Sequence, residues 1–444
     1  MTKKKMIRLS QCMIVKNEEE NIEKALSWGK DAVWEQIVVD TGSTDRTVEL
    51  AKAMGAKVFS FSWIDDFSAA KNFAISKAGG DWIAFLDADE VFAPGDEEKI
   101  IKILEQAEAS GKKIDAVWVS LLDLNDLGEV SGSLSTPRIF RNLPGLEYYG
   151  RVHEYLRWTD GHTLKTVDAS DKLFILHSGY QKEARGKKKG RNQKLILREL
   201  EERPDDYHMM GYLADDYLAD GQQEEAAVWY QKAIDAMPKS VDSHDQRCTV
   251  TFSNLMKILG MDTKKEQTLQ DIYQMAVSRF PEEPDFDYIY GCCLVQWEQF
   301  AKAKTYLDRA LQKLQKLEQT GSYNRALELN GNLIHAFTDL AWCCVQTGDA
   351  NRAVSLSVEV LKANPSNTRA LQILLRAFRG DAFLPVVTPE QTVGFLRKIC
   401  DLNSMRGRYL VLYAAKEAKY LELVRYMENM FTPEEKAELE KAGL

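Results

Sequence analysis

The chain has 444 residues, which is long enough for two or three domains. Apolar residues make up 45% of it, enough for ordinary hydrophobic cores, and a formal net charge of −9 argues against a general nucleic-acid binder. No stretch of the sequence is long and apolar enough to predict a membrane span. Seven cysteines without a C-x-x-C pair predict reduced, mostly buried thiols and a cytoplasmic protein.

Strand-like and helix-like segments alternate over the first 90 residues. Helices are predicted after a cap at Asn17, from Ser43 or Thr44 to Met54, and over residues 67–78. Strands are predicted between them, over residues 9–15, 36–39, 57–61 and 82–86. This order predicts an α/β domain with a mostly parallel, Rossmann-like sheet and right-handed crossovers. After residue 89 the pattern loosens, with a helix over 96–109 and strands over 116–122, 138–140 and 173–176.

The composition changes at residues 181–191, which are rich in Lys, Arg and Gly, and strand signals end there. We therefore predict an α/β domain over residues 1–180 and an all-α domain over residues 181–444. In the second half, small and large residues recur at the spacing of tetratricopeptide (TPR) repeats. Copies are predicted over residues 213–238, 290–310 and 340–365, with a degenerate copy over 252–281. The repeats predict a TPR-like helical solenoid.

The strongest chemical signal is an apolar run that ends in Asp87-Ala88-Asp89. A strand at the centre of a parallel sheet is covered on both faces, and ligands bind beyond its carboxyl end. Two carboxylates placed there repel each other unless a cation compensates them. Oxygen ligands suit Mg²⁺ or Mn²⁺, which commonly bridge to substrate phosphates. The segment therefore predicts a divalent-cation site for a phosphorylated donor.

Several motifs of the first domain resemble those of the family 2 glycosyltransferases of the GT-A fold. The residues that carry this resemblance are 14–18, 38–47 and 87–89, in this order and spacing. A narrower resemblance, to a bacterial subgroup with a TPR-like second half, rests on residues 63–72, 138–141, 150–154 and 177–180. That subgroup includes the S-glycosyltransferases that modify cysteines of bacteriocin peptides.

The resemblance implies a transferase that uses a nucleotide sugar, with UDP as the expected nucleotide and Mn²⁺ or Mg²⁺ as the cofactor. Asp89 is implied to bind the metal directly, and Asp87 to contact the ribose or the metal. His177 follows an apolar strand late in the domain and is interpreted as a further metal ligand, the alternative being a structural histidine. The donor-binding residues are expected to be Val15, Lys16, Glu18, Asp40, Ser43, Lys71, Asp87, Ala88 and Arg138.

An inverting transfer needs a base that takes the acceptor's proton. Glu154, in a predicted loop, is the first candidate, His153 is the alternative, and Asp123 is the third. Either loop residue could instead orient the donor sugar. A cysteine acceptor would depend less on the base, because a thiolate is already a good nucleophile.

The resemblance thus implies a metal-dependent, inverting glycosyltransferase, for which a peptide or protein side chain, Cys or Ser/Thr, is the leading acceptor. The helical half is expected to select the acceptor or to form a homodimer. The rival enzyme is a transferase for cell-envelope or lipid-linked saccharides, and the rival of another class is a non-catalytic TPR scaffold. A nucleotidyltransferase is disfavoured because residues 16–19 (KNEE) are not a Gly-rich phosphate loop.

Overall fold

The structure, a computed structural model, describes residues 6–30, 32–125, 127–178, 190–239, 241, 245–320, 327–380 and 387–441. The chain divides into two compact units, Met1–Asp216 and Tyr217–Leu444. The predicted boundary between residues 180 and 181, and the basic run up to residue 189, lie outside the described residues, so the boundary stays a prediction.

The first unit contains a nine-stranded sheet, a two-stranded hairpin and the helices that cover them. The strands are β1 (Leu9–Val15), β2 (Glu35–Asp40), β3 (Lys57–Ser60), β4 (Trp82–Phe85), β5 (Glu90–Phe92), β6 (Ala116–Leu124), β7 (Val130–Arg141), β8 (Leu146–Tyr149), β9 (Tyr155–Trp158), β10 (Thr166–Asp168) and β11 (Phe174–His177). The helices are α1 (Ile22–Ser27), α2 (Thr47–Ala53), α3 (Phe67–Lys77), α4 (Asp96–Ala109) and α5 (Arg191–Glu202).

The sheet is mixed, with the strand order β3-β2-β1-β4-β7-β6-β11-β5 and with β10 beside β6. Strands β3, β2, β1 and β4 are parallel, as the alternating pattern predicts. Strand β7 runs antiparallel to both β4 and β6, and β5 runs antiparallel to β11. The parallel pairing brings the carboxyl ends of β1, β2 and β4 to one edge of the sheet.

Burial on both faces fixes the central strand β4. Its alternate residues Trp82 and Ala84 pack on one face, in the cluster that contains Ile100 of α4. Ile83 and Phe85 pack on the other face, in the cluster that contains Ala74 of α3. The apolar run of β4 therefore reflects burial on both faces, as the sequence suggests, and this strand leads the chain to Asp87.

Two helix starts differ from the sequence prediction. Asn17 has a left-handed backbone (φ 56°) and caps no helix; its side-chain oxygen instead accepts the N–H of Thr44. Helix α1 consequently begins only at Ile22. Helix α2 begins at Thr47 because Asp45 accepts the N–H of Thr47 in a local turn. Side-chain hydrogen bonds between loops and within one turn thus replace the predicted caps.

From residue 207 onward the described elements are helical. They are α6 (Tyr207–Ala219), α7 (Gln223–Ala236), α8 (Gln246–Gly260), α9 (Glu266–Arg279), α10 (Pro284–Gln296), α11 (Phe300–Thr320), α12 (Glu328–Gly331), α13 (Leu333–Gln346), α14 (Ala350–Ala363), α15 (Thr368–Arg379), α16 (Pro389–Leu396), α17 (Met405–Glu417), α18 (Leu421–Glu428) and α19 (Pro433–Lys441). Each predicted repeat coincides with consecutive helices. None of the described helices is long and apolar enough to cross a membrane.

The adjacent cysteines lie where the repeat pattern places them. Cys293, Cys343 and Cys344 are buried and Cys292 is half-buried. All seven cysteines are free thiols. The pairs are therefore packing residues of the helical unit.

Gly291 marks a close approach between α10 and α11. A Cβ at this position would lie 2.9 Å from both Cγ and Cδ2 of the buried Leu307. We expect Gly291→Ala to lower the free energy of unfolding by about 1–3 kcal/mol, since the added methyl overpacks the helix pair. Gly394→Ala in α16 is the matched control, because a Cβ there meets nothing within 4 Å. It should raise stability by about 0.5–1 kcal/mol. Denaturant unfolding of both variants checks this, and equal effects would contradict the packing argument.

Candidate active site

A cavity of about 730 Å³ opens in the first unit where β1 and β4 end. Most of the predicted site residues line it: Val15, Lys16, Glu18, Lys71, Asp87, Ala88, Asp89, Arg138, His153, Glu154 and His177. Asp40 and Ser43 are not among its lining residues. The carboxyl edge of the sheet thus brings together residues up to 162 positions apart in the sequence, from Val15 to His177.

Asp40 and Ser43 shape the turn that borders the end of β1. The Asp40 carboxylate is buried and accepts the N–H groups of Gly42 and Ser43, at 3.2 and 3.0 Å. Glycine is favoured at position 42 because its φ is 110°, a backbone conformation that residues with a Cβ rarely adopt. The Ser43 hydroxyl accepts the N–H of Asn17 at 2.9 Å, which ties this turn to the loop after β1. A direct donor contact of Asp40 or Ser43 stays a prediction.

Asp87 lies between two cationic side chains. Its Oδ1 is 3.8 Å from Nζ of Lys71, and its Oδ2 is 3.6 Å from Nη2 of Arg138. The sequence predicts that a cation is needed to compensate the repulsion between the two neighbouring carboxylates. In the structure two side chains of the protein already compensate Asp87.

Lys71 links Asp87 to the candidate base. Its ammonium lies 2.5 Å from Oε1 of Glu154, and the residue is only 4% exposed. Burial disfavours its charged form, but the charges of Asp87 and Glu154 outweigh burial and raise the pKa of Lys71 above its ordinary value. Helix α3 positions this lysine, and Asp66 caps that helix by accepting the N–H of Ala69. Lys71 therefore stays charged and orients both carboxylates.

Glu90 is a site residue that the sequence analysis missed. It is 2% exposed, lies 2.5 Å from Nη2 of Arg138, and accepts the N–H of Asp87. Burial raises the pKa of Glu90 to about 7; Arg138 opposes this rise and Asp87 adds to it. Its position directly after the two aspartates could have indicated a role in the site. An acidic residue in such a turn is, however, usually exposed to solvent.

Asp89 and His177 form a second pair of side chains in the cavity. Nε2 of His177 is 3.4 Å from Oδ2 of Asp89, and Nδ1 is 2.8 Å from Oδ1 of Asp123. The parallel register of β11 and β6 sets His177 beside Asp123. Burial lowers the pKa of His177, but hydrogen bonds to Asp89 and Asp123 outweigh burial and raise it to about 9. Asp123, the third base candidate, thus orients the imidazole.

The pair Asp89 and His177 fits a divalent cation. Two ligand atoms at right angles, each about 2.1 Å from one ion, lie about 3 Å apart, which is close to the observed separation. A carboxylate on the second ring nitrogen is the usual support of a metal-binding histidine. Among the described residues, the ligand atoms of Asp87, Asp89 and His177 do not all lie within 4.8 Å of one another. A metal bond from Asp87 therefore stays a prediction.

The loop after β8 presents the two base candidates differently. His153 has a left-handed backbone (φ 52°), and its ring stacks on that of Tyr212 with 3.8 Å between centroids. The Glu154 carboxylate instead joins Lys71 in the cavity. This arrangement favours Glu154 over His153 as the base, and both roles stay predictions.

Aromatic residues form much of the remaining wall. Trp63 and Phe67 make an edge contact with 4.8 Å between centroids, and the Arg191 guanidinium lies 5.1 Å from the Phe67 centroid. Trp118 and Tyr148 also line the cavity. None of these aromatic residues was predicted from the sequence to line a site, because periodicity alone does not separate a residue facing the core from one facing a cavity.

Residues 10–116 match the model of the family "Glycosyl transferase family 2". This segment, about a quarter of the chain, is similar to a glycosyl transferase family 2 domain. This matched segment supplies Asp40, Asp87 and Asp89, whereas Arg138, Glu154 and His177 come from the chain after it. The match supports the predicted combination of a family 2 domain with a TPR-like helical region.

Two curated relatives extend the similarity beyond this domain. The chain is 33% identical over 237 residues to a TPR repeat-containing protein of Synechococcus elongatus, covering 52% of this chain and 57% of the relative. It is 28% identical over 294 residues to the SPbeta prophage-derived glycosyltransferase SunS of Bacillus subtilis, covering 64% of this chain and 66% of the relative. The chain thus spans less than two thirds of the length of either relative.

Solved structures show only distant likeness. S. aureus TarS is 15% identical with a TM-score of 0.35, over 60% of this chain and 55% of that chain. The TPR protein YrrB is 20% identical with a TM-score of 0.34, over 50% of this chain and 97% of that chain. Likeness at this level says nothing about function.

Proposed function

We propose that the protein is a glycosyltransferase that moves a sugar from a nucleotide donor, with UDP as the nucleotide, to an acceptor. One observation carries the proposal: a cavity at the carboxyl edge of the sheet brings Lys71, Asp87 and Asp89 of the matched segment together with Glu154 and His177. A scaffold would not need the buried Lys71 to hold both Asp87 and Glu154 in place, since such a charge is costly to bury.

Asp89 and His177 would hold the divalent cation, Mn²⁺ or Mg²⁺. When bound, this ion supplies positive charge for the diphosphate leaving group. The protein's own contribution is orientation, because Asp123 fixes the imidazole and the Ser178 N–H, bonded to the Asp89 carbonyl at 3.1 Å, fixes the backbone of Asp89. An imidazole ligand suits Mn²⁺ better than Mg²⁺.

We infer that Glu154 acts as the base of an inverting transfer. The acceptor's oxygen or sulfur forms a bond to the anomeric carbon while the bond from that carbon to the diphosphate oxygen breaks. The acceptor's proton passes to the Glu154 carboxylate, which the Lys71 ammonium holds 2.5 Å away. Because Lys71 contacts both carboxylates, it fixes the position of Glu154 relative to Asp87 and therefore relative to the donor.

For the acceptor we propose a peptide or protein side chain, because repeat helices build extended surfaces that suit an elongated partner. A saccharide acceptor of the cell envelope is the alternative, and a transfer assay with both acceptor classes separates the two. The seven free thiols support a cytoplasmic location. Homodimerisation through the helical unit stays a prediction.

The test is UDP release by purified protein across a panel of UDP-sugars and other nucleotide sugars, with Mn²⁺, with Mg²⁺ and with chelator. Metal-dependent release from one donor supports the proposal and identifies the sugar. No release from any donor, together with no thermal shift by UDP and Mn²⁺, would support the scaffold instead.

Asp123→Ala should weaken Mn²⁺ binding by about 10- to 100-fold, because His177 loses the carboxylate that fixes its ring. Asp160→Ala is the matched control. Asp160 also bonds a histidine, His162 at 2.6 Å, but both are exposed and outside the cavity lining. Metal titration followed by UDP release measures the effect. Equal Mn²⁺ affinities in the two variants would contradict the role of Asp123.

A further inference from the structure

Tyr148, on β8, carries a buried hydroxyl for which the described residues provide no hydrogen-bond partner. The residue is 6% exposed. Its ring is held by edge contacts to Phe85 and Phe140, with centroids 5.3 and 5.6 Å away. The Asn72 side chain bonds both the N–H and the carbonyl of Tyr148, at 2.9 and 2.8 Å. Phenylalanine would make the same ring contacts, so only the hydroxyl is unexplained by packing.

The surroundings of this hydroxyl belong to the proposed site. Tyr148 lines the cavity, and the Lys71 ammonium lies 4.9 Å from its ring centroid. Burial raises the pKa of Tyr148 to about 12, although Lys71 and Arg138 oppose this rise. The phenol is therefore protonated at neutral pH and able to donate. A buried donor without a partner destabilises the fold, and a ligand that accepts from it would recover this loss.

A second unsatisfied donor lies in the same cavity wall. Arg138 pairs with Glu90 and Asp87 through its terminal nitrogen, whereas its Nε–H is buried and has no partner among the described residues. Two fixed donors call for a ligand that offers more than one acceptor oxygen. Hydroxyl groups on one sugar ring offer this, and they can also donate to neighbouring carboxylates.

The local charge distinguishes a sugar from a phosphate. Around this part of the cavity, Lys71 and Arg138 contribute two positive charges, against the carboxyl groups of Asp87, Glu90 and Glu154. An anionic group here would lie beside these three carboxyl groups, and Lys71 and Arg138 are already paired with them. A neutral, hydroxylated ligand would not suffer this repulsion.

We propose that the Tyr148 hydroxyl hydrogen-bonds a hydroxyl group of the transferred sugar, and that this part of the cavity selects a neutral sugar over a uronic acid. This inference rests on the proposed function and specifies its donor. Tyr148 and the Arg138 Nε–H are its specificity-determining groups.

The experiment compares wild type and Tyr148→Phe on the UDP-sugar that the wild type uses, on its monodeoxy analogues and on UDP-glucuronic acid. We expect kcat/KM of the variant to fall about 10- to 100-fold. One deoxy analogue should lose a similar factor with wild type and no further factor with the variant. UDP affinity should stay unchanged, the melting temperature should not fall, and UDP-glucuronic acid should be a poor donor.

Tyr149→Phe is the control on the same strand. Tyr149 is outside the cavity lining and its hydroxyl accepts from Arg203 at 2.7 Å, so kcat/KM should stay at the wild-type value. Wild-type kcat/KM in Tyr148→Phe on every donor, or an equal loss of UDP affinity, would overturn this inference and leave the proposed function standing. Absence of UDP release and of UDP binding in all proteins would overturn the function itself and this inference with it.

Discussion

Asp89→Ala is expected to lower metal-dependent UDP release by about a thousand-fold or more. The distance from Oδ2 of Asp89 to Nε2 of His177, 3.4 Å, suits two ligand atoms of one ion. Removing the carboxylate leaves the imidazole as the remaining ligand of that pair. The charge on the departing diphosphate then lacks its main compensation, which is worth several kcal/mol in the transition state. Steady-state UDP release at saturating Mn²⁺ measures the effect.

Asp171→Ala provides the control for this substitution. Asp171 is a 71% exposed aspartate outside the cavity lining, so its variant should release UDP at the wild-type rate. The circular dichroism spectrum and melting temperature of Asp89→Ala should remain close to wild type, because Asp89 is at the cavity surface. Activity within ten-fold of wild type in Asp89→Ala would contradict the metal-binding role.

Lys71→Met is expected to lower the free energy of unfolding more than Gly291→Ala does. The substitution keeps a long apolar side chain but leaves Glu154 without its partner at 2.5 Å and weakens the compensation of Asp87. Removing one member of a buried pair costs about 3–5 kcal/mol, because the other charge stays buried. Denaturant unfolding measures this change. UDP release should also fall steeply, since both carboxylates lose their common anchor.

A second substitution tests whether charge is the cause. Lys71→Met combined with Glu154→Gln should recover part of the lost stability, because the uncompensated carboxylate is gone. Lys102→Met is the matched surface control: Lys102 pairs with Glu98 at 3.5 Å, but both side chains are exposed, so the change should be below about 1 kcal/mol. A double variant no more stable than Lys71→Met would contradict the charge explanation.

Buried apolar runs made the core of the fold predictable. Strand β1 and helix α4 have the predicted bounds, and β4 differs from its prediction by one residue. These segments can be recognised from their residue types alone. Burial on both faces of a strand, or along one stripe of a helix, requires apolar residues at fixed positions. The helical repeats were predictable for the same reason, as Gly291 and its contact with Leu307 illustrate.

Elements that depend on distant partners were not predictable. Strand β7 begins at Val130, whereas the sequence suggested only residues 138–140, because its first half is exposed and rich in Ser and Gly. The start of α1 depends on the bond from Thr44 to Asn17, which no local pattern reveals. The short strand β5 exists because it pairs with β11, more than 80 residues later.

The candidate site divides in the same way. Asp87, Asp89 and His177 stand at strand ends, where the sequence shows both the strand and the polar residue. The partners that set their chemistry come from other elements: Lys71 from α3, Arg138 from β7 and Asp123 from β6. Glu90 and Tyr148 were missed because their roles follow from burial beside these charges.

The most direct test of the central claim is a calorimetric titration of the wild-type protein with UDP, in Mn²⁺ and in chelator, repeated with His177→Ala. We expect saturable binding in Mn²⁺ that is lost in chelator and weakened at least ten-fold by His177→Ala. Equal UDP affinity in Mn²⁺ and chelator, or no effect of His177→Ala, would contradict a metal-assisted donor site formed by Asp89 and His177.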